Sequence, residues 1–334
     1  MENLSLAEVA KRSIKGVLAL TSRTLVLQLI GLITSFILTI FLDPRTFGVF
    51  FVVSAAIAFL SYFSDIGLAA ALIQKKDAIT KEELKVTFTI QQALVLTLVI
   101  IAFLASSFVG EFYDLNREGT LLFQALVFSF FLSSLKTIPS IILERSLRFE
   151  KLVIPQIVES LFFSITVIAL AVKGFGISSF TYAVLARGIS GLLAIYIISP
   201  WVPGFAVSKQ VLKKLLSFGI PFQTNSVLAL IKDDLLIVYL GKVLPLSEVG
   251  FIGFAQKWAL MPLRLVMDNV IRITFPSFSR LQDEKEILGK AIEKSIFAAS
   301  FIIFPALTGL VILSPYFIEI IPRYTKWEPA LLSL

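Results

Sequence analysis

GVLALTSRTLVLQLIGLITSFILTIFL, residues Gly16–Leu42, is followed after only Asp43–Thr46 by FGVFFVVSAAIAFLSYFSDIGLAAALI, residues Phe47–Ile73. Each run is long enough to cross a bilayer core, which takes roughly 20 apolar residues in a helix. Hydrocarbon offers the backbone no water, so a segment of this length must pair its own N–H and C=O groups as a helix. Two such runs joined by four residues make a transmembrane hairpin. The pattern then repeats at Val86–Val109, Leu121–Leu143, Leu152–Val172, Ser178–Ile198, Leu216–Leu240, Val249–Phe275 and Ala291–Leu313, and another run begins near Trp327. The chain reads as an all-α polytopic membrane protein with about nine complete transmembrane helices and a partial tenth.

Composition supports this reading. Hydrophobic residues make up 57% of the chain and charged ones 16%, against roughly 25% charge in soluble domains. A net charge of +7 raises the question of nucleic acid, but the basic residues follow the loops of a membrane topology. One set of ends and loops carries Lys11, Arg12, Lys15, Lys75, Lys76, Lys81, Lys85, Arg145, Arg148, Lys151, Lys209, Lys213, Lys214, Arg280, Lys285, Lys290 and Lys294. The opposite loops hold only Arg45, Arg117, Lys173, Lys242, Arg323 and Lys326. Basic residues accumulate on the cytoplasmic side, so the N-terminus is expected in the cytoplasm, in a multi-pass protein of the cytoplasmic (inner) membrane with no nucleic-acid partner. Ahead of the first span, Leu6, Val9, Ala10 and Ile14 recur at helical spacing around Lys11, Arg12 and Lys15. That segment is either an amphipathic surface helix or an extension of the first span.

The chain has no cysteine and no histidine, which removes disulfides, thiolate chemistry, the usual zinc sites and Ser-His or Cys-His nucleophiles. The outer loops, such as Asp43–Thr46, Lys173–Ile177 and Gly241–Glu248, are too short to hold catalytic carboxylates over a sugar. An enzyme is therefore not expected, nor a metal or cofactor. The substrate would be handled between the helices.

Two halves of the chain resemble each other. Aligning Gly48 with Gly250 sets them 202 residues apart and places Asp65 and Asp268 at 17 and 18 residues beyond. Six intervening spans make the repeats parallel, related by an axis along the membrane normal. The longest linker, SPWVPGFAVSKQVLKKL at Ser199–Leu215, falls where the boundary belongs. The expected organisation is a six-helix lobe over 1–198, a cytoplasmic linker over 199–215, and part of a second lobe over 216–334.

Five blocks carry a family resemblance: LSYFSDIGLAAALIQKKDAITKEEL (Leu60–Leu84), IPSIILERSLRFEKL (Ile138–Leu152), KGFGISSFTYAVLARGI (Lys173–Ile189), LLSFGIPFQTNSVLALIKDDLLIVYLGK (Leu215–Lys242) and PLRLVMDNVIRITFPSFSRLQDEKE (Pro262–Glu286). They resemble, in order, the Wzx-type oligosaccharide flippases of the MOP exporter superfamily. The resemblance implies a MATE-like bundle of two lobes around a central cationic cavity. It also implies flipping of a polyprenyl-diphosphate-linked oligosaccharide for surface polysaccharide export, with that lipid, membrane lipids and polysaccharide assembly proteins as partners. Such flippases have a dozen or more spans, so the chain is expected to be truncated. Where the family often has Gly-Glu-Lys-Trp, this chain reads Arg323-Tyr-Thr-Lys-Trp327, and no role is carried over there.

Ionisable residues inside spans are costly, and their default reading is functional. Lys257, Arg264, Asp268 and Arg272 follow at spacings of 7, 4 and 4, one face of a helix. Either they line a cavity that takes an anionic head group, which arginine grips as a bidentate fork, or Asp268 bridges the two arginines in a private ladder. Lys232, Asp233 and Asp234 sit mid-span, and each aspartate is read as a coupling-ion ligand or a salt-bridge partner. Asp65, beside Ile66-Gly67, is read as a cap or packing group, or as an ion ligand. Arg23 either snorkels or joins the cavity. Arg187 is expected to pair with Glu159, and Lys136 is a candidate for the cavity. Two rival functions remain: an ion-coupled antiporter of small organic cations, which would need a net acidic cavity, and a membrane polysaccharide polymerase or ligase.

Overall fold

The computed structural model describes residues 6–75, 77–280 and 284–333; within its helices, the side chains at 6–14, 17, 225–233, 264, 265, 268, 269, 271–273, 275–277, 279 and 280 lie outside the description. The described residues form helices joined by short loops and no strand, as the backbone requirement of a bilayer dictates. Among the described residues, six helices are long and apolar enough to cross a membrane, or seven if a bent pair counts as one span. The protein is multi-pass.

The first span is α1, Leu6–Phe41. It runs unbroken from the basic N-terminal segment, so that segment extends the span rather than forming a separate surface helix. The second expected span is split into α2, Pro44–Ser61, and α3, Leu68–Gln74. Pro44 opens α2, a position where its missing N–H removes no intrahelical bond. The third is α4, Lys81–Leu104, followed by the short α5, Ser106–Phe112. The fourth is again broken, into α6, Arg117–Ser134, and α7, Thr137–Arg145, bent by 41°. Then come α8, Phe149–Val172, α9, Ser178–Ile198, α10, Lys209–Val243, α11, Leu246–Arg280, and α12, Lys285–Ile320. A 3-10 helix occupies Thr325–Ser333, where a tenth span was expected to begin.

Packing divides the chain into two compact units. The first comprises Met1–Leu42 and Val49–Pro245. In it α8 packs on α9 and α1, α9 on α6, and α10 on α3. The lobe boundary expected at 199–215 remains a proposal, since here α10 belongs with the helices before it. Trp201 and Phe205 of that linker pack their rings on Phe88 of α4. The loop between α3 and α4 is tied down by charge. Arg145, closing α7, donates to the carbonyls of Leu72 at 2.9 Å and Ile73 at 3.3 Å, and to those of Lys75 and Asp77. It thereby satisfies the orphan acceptors at the end of α3. Thr80 and Glu83 form a capping box at the start of α4, and Lys75 pairs with Glu83 at 2.8 Å.

The second unit comprises Asp43–Gly48 and Leu246–Leu334. At its centre the first turns of α2 and α11 cross at their glycines. A Cβ on Gly48 would stand 1.7 Å from the carbonyl oxygen of Leu246, and one on Gly250 would stand 2.0 Å from that of Pro44. Each glycine thus rests on the residue four before the other, the reciprocity of a local two-fold axis. These are the two glycines that the internal alignment makes equivalent. Trp327 is fully buried here, stacked on Phe254 at 4.4 Å and edge-on to Phe47 at 5.2 Å.

Candidate functional site

In the first unit three of the intramembrane charges, Lys136, Glu159 and Arg187, come together. Lys136 stands in the break between α6 and α7, and its Nζ lies 2.5 Å from Oε1 of Glu159 on α8. Both side chains are mostly buried. Arg187 on α9 approaches the other carboxylate oxygen with Nε at 3.8 Å, beyond hydrogen-bonding distance. Gly191, one turn further along α9, makes room for the carboxylate: a Cβ there would fall 2.0 Å from Oε1 of Glu159. Glu159 therefore meets both cations, but its close partner is Lys136.

A second polar centre forms at the break in the second span. Asp65 accepts the N–H of Leu68 through Oδ1 at 2.8 Å, turning the chain into α3 behind Gly67 at φ +80°, a left-handed conformation glycine adopts without strain. A Cβ on Gly67 would also stand 2.1 Å from the carbonyl oxygen of Gly219 on α10. From α10, Gln223 donates through Nε2 to the carbonyl of Tyr62 at 2.9 Å. The Tyr62 hydroxyl donates to Oδ2 of Asp234 at 2.6 Å. Asp234 is thus linked to the broken helix by a short charge-assisted bond.

Of the remaining expected residues, Arg23 and Lys257 join neither centre among the described residues. Arg23 is half-buried on α1, its Nε buried without a hydrogen-bond partner among the described residues. Lys257 is exposed on α11. Arg264, Asp268 and Arg272 fall on the helical backbone of α11, and Lys232 and Asp233 on that of α10, but these five side chains lie outside the described residues.

Tyr62 and Gln223 had no signal of their own in the sequence. Neither did the amides that staple α4 to the broken fourth span, where Gln91 donates to Thr137 at 2.9 Å and Gln92 to Ser134 at 3.1 Å. A glutamine pair one residue apart within an apolar run, Gln91-Gln92, was the available clue.

Broken apolar spans with ionisable groups at the breaks, in an all-helical bundle, define a polytopic membrane protein of transporter-like build. The chain belongs to the family described as "Polysaccharide biosynthesis protein", which matches residues 37–331. Lipopolysaccharide biosynthesis protein WzxC of Escherichia coli (strain K12) is 23% identical over 93% of this chain and 63% of its own length. An "Uncharacterized membrane protein in cps region" of Klebsiella pneumoniae is 26% identical over 91% of this chain and 62% of its own. Teichuronic acid biosynthesis protein TuaB of Bacillus subtilis (strain 168) is 25% identical over 76% of this chain and 53% of its own. The chain thus spans less than two thirds of these relatives. Among solved structures, an inward-facing multidrug resistance MATE family transporter of the MOP superfamily superposes with a TM-score of 0.66. It is 17% identical, over 95% of this chain and 79% of that one. The likeness to that transporter is one of fold, and the names of the relatives agree with the Wzx-type resemblance.

Proposed function

We propose that the chain is part of a flippase that carries a polyprenyl-diphosphate-linked oligosaccharide across the cytoplasmic membrane for surface polysaccharide export. The family match over 37–331 carries this reading, and WzxC and TuaB, named for lipopolysaccharide and teichuronic acid biosynthesis, support it. In the mechanism it implies, Arg264, Lys257, Arg272, Arg23 and Lys136 attract the diphosphate while the polyprenyl tail stays in the bilayer. Asp268, Asp233, Asp234 and Asp65 are the candidates for a coupling ion. The lobes 1–198 and 216–334 would rock about the 199–215 linker, with the Gly48–Gly250 crossing closing the outer side. No bond is made or broken in such a step. The N-terminus is cytoplasmic, and polysaccharide assembly proteins receive the product.

The MATE-like fold also suits an antiporter of organic cations, and the Tyr62–Asp234 pair is the kind of acidic group such a transporter needs. A likeness of 17% identity speaks to fold alone, and the relatives' names favour the lipid-linked sugar. Deleting the gene separates the two. The flippase reading expects loss of surface polysaccharide and accumulation of its lipid-linked precursor. Intact polysaccharide with increased sensitivity to cationic compounds would support the antiporter instead.

A further inference from the structure

We infer that Arg187 forms an oxyanion-binding site within the first unit, taking a phosphate or diphosphate group in a crevice beside α8 and α9.

Depth is the first part of the argument. Arg187 is the tenth residue of the 21 in α9, roughly 14–16 Å from either end at 1.5 Å per residue. An arginine side chain does not span that distance, so the guanidinium cannot reach an interface by snorkelling. Its side chain is nevertheless 57% exposed. Direction comes next. The large exposed apolar residues of α9 are Tyr182, Ile189, Leu193 and Ile197, which form one stripe suited to lipid. At about 100° per residue, Arg187 lies roughly 120° round the helix from the middle of that stripe. Its neighbours one turn away, Ala183, Ser190 and Gly191, are buried. A charge so placed opens onto a crevice and not onto hydrocarbon, where it would be strongly disfavoured.

Charge then selects the ligand. Glu159 is engaged by Lys136 at 2.5 Å and stands 3.8 Å from Nε of Arg187. Two cations share one carboxylate, leaving a net positive charge. The terminal nitrogens of Arg187 have no hydrogen bond among the described residues, while Glu159 orients the guanidinium from its Nε side. The remaining edge is a planar pair of donors, the geometry that matches two oxygens of a phosphate. The inference rests on the flippase reading only for the source of that oxyanion.

The absence of native cysteine permits a direct test on the purified protein in lipid nanodiscs. In Arg187→Cys, a membrane-impermeant, cationic methanethiosulfonate should react, because the thiol faces water. Inorganic pyrophosphate should bind the unmodified protein, and Arg187→Gln should weaken it about tenfold or more, the scale of a lost charged hydrogen bond. The Lys136–Glu159 pair remains in that variant, so its fold is preserved, and Arg187→Lys should recover part of the binding. The cationic adduct on Arg187→Cys should restore some as well. Tighter binding of polyprenyl diphosphate than of pyrophosphate, not shared by polyprenol, identifies a lipid head group; equal binding identifies a free phosphate. An unreactive Arg187→Cys, or pyrophosphate binding unchanged in Arg187→Gln, overturns the site. Neither result bears on whether deletion of the gene abolishes polysaccharide export, so the two readings fail separately.

Discussion

Glu159 has two cations within reach and hydrogen-bonds one of them. Removing one member of a buried pair costs up to about 3–5 kcal/mol, because the charge left behind has lost its solvent and its partner. Lys136→Met should destabilise the protein toward the lower end of that range, since Arg187 can turn to the vacated carboxylate. The Lys136→Met/Glu159→Gln double variant should recover much of the loss. Thermal unfolding in detergent checks both; a double variant no more stable than the single would show that the pair does not act as a unit. In the sequence, Arg187 and Glu159 were visible as partners because both are ionised residues deep in neighbouring spans. Lys136 was read as a candidate for the cavity; it stands at the break after Ser134, which an apolar run does not announce, and its ammonium meets Glu159 there.

At the scale of elements, hydropathy marked where helices lie but not their interruptions, and of the nine expected spans six or seven are long and apolar enough to cross a membrane among the described residues. Both breaks lie inside apolar runs, where burial continues although the helical ladder stops. Asp65 and Gly67 marked the first, as a side-chain cap and a left-handed residue. Pro139 marked the second: it stands in the first turn of α7, where a helix starts without needing its N–H. The glycines divide by what surrounds them. Gly48→Ala and Gly250→Ala should each destabilise by at least the ~1–3 kcal/mol typical of overpacking, because the new Cβ meets a backbone carbonyl at the α2–α11 crossing. Combined, their effects should fall short of the sum, since one crossing is lost in both. Gly31→Ala in α1 has open space around it and should be neutral or stabilise by up to about 1 kcal/mol through helix propensity. Melting temperatures of the four variants test the set, and tolerance of alanine at Gly48 would remove the crossing from the account.

For the whole molecule, the sequence supplied the class, while topology and the internal repeat stand as proposals; the two glycines that the alignment pairs meet at the α2–α11 crossing. The α11 stripe stays a sequence expectation, because three of its four side chains lie outside the described residues. The proposed sidedness rests on the distribution of lysine and arginine and has a simple check. Single cysteines at Ala78 and Asn116 should behave oppositely toward an impermeant thiol reagent on intact cells, with position 116 labelled and position 78 protected. The reverse pattern would invert the topology. Transport itself is tested most directly in inverted membrane vesicles from cells carrying the intact gene, loaded on their outer, formerly cytoplasmic, face with a labelled polyprenyl-diphosphate oligosaccharide. The account predicts that the label becomes protected inside the vesicles with time, and that vesicles from the deletion strain leave it exposed. Equal protection with and without the protein would contradict the proposal that it is a flippase.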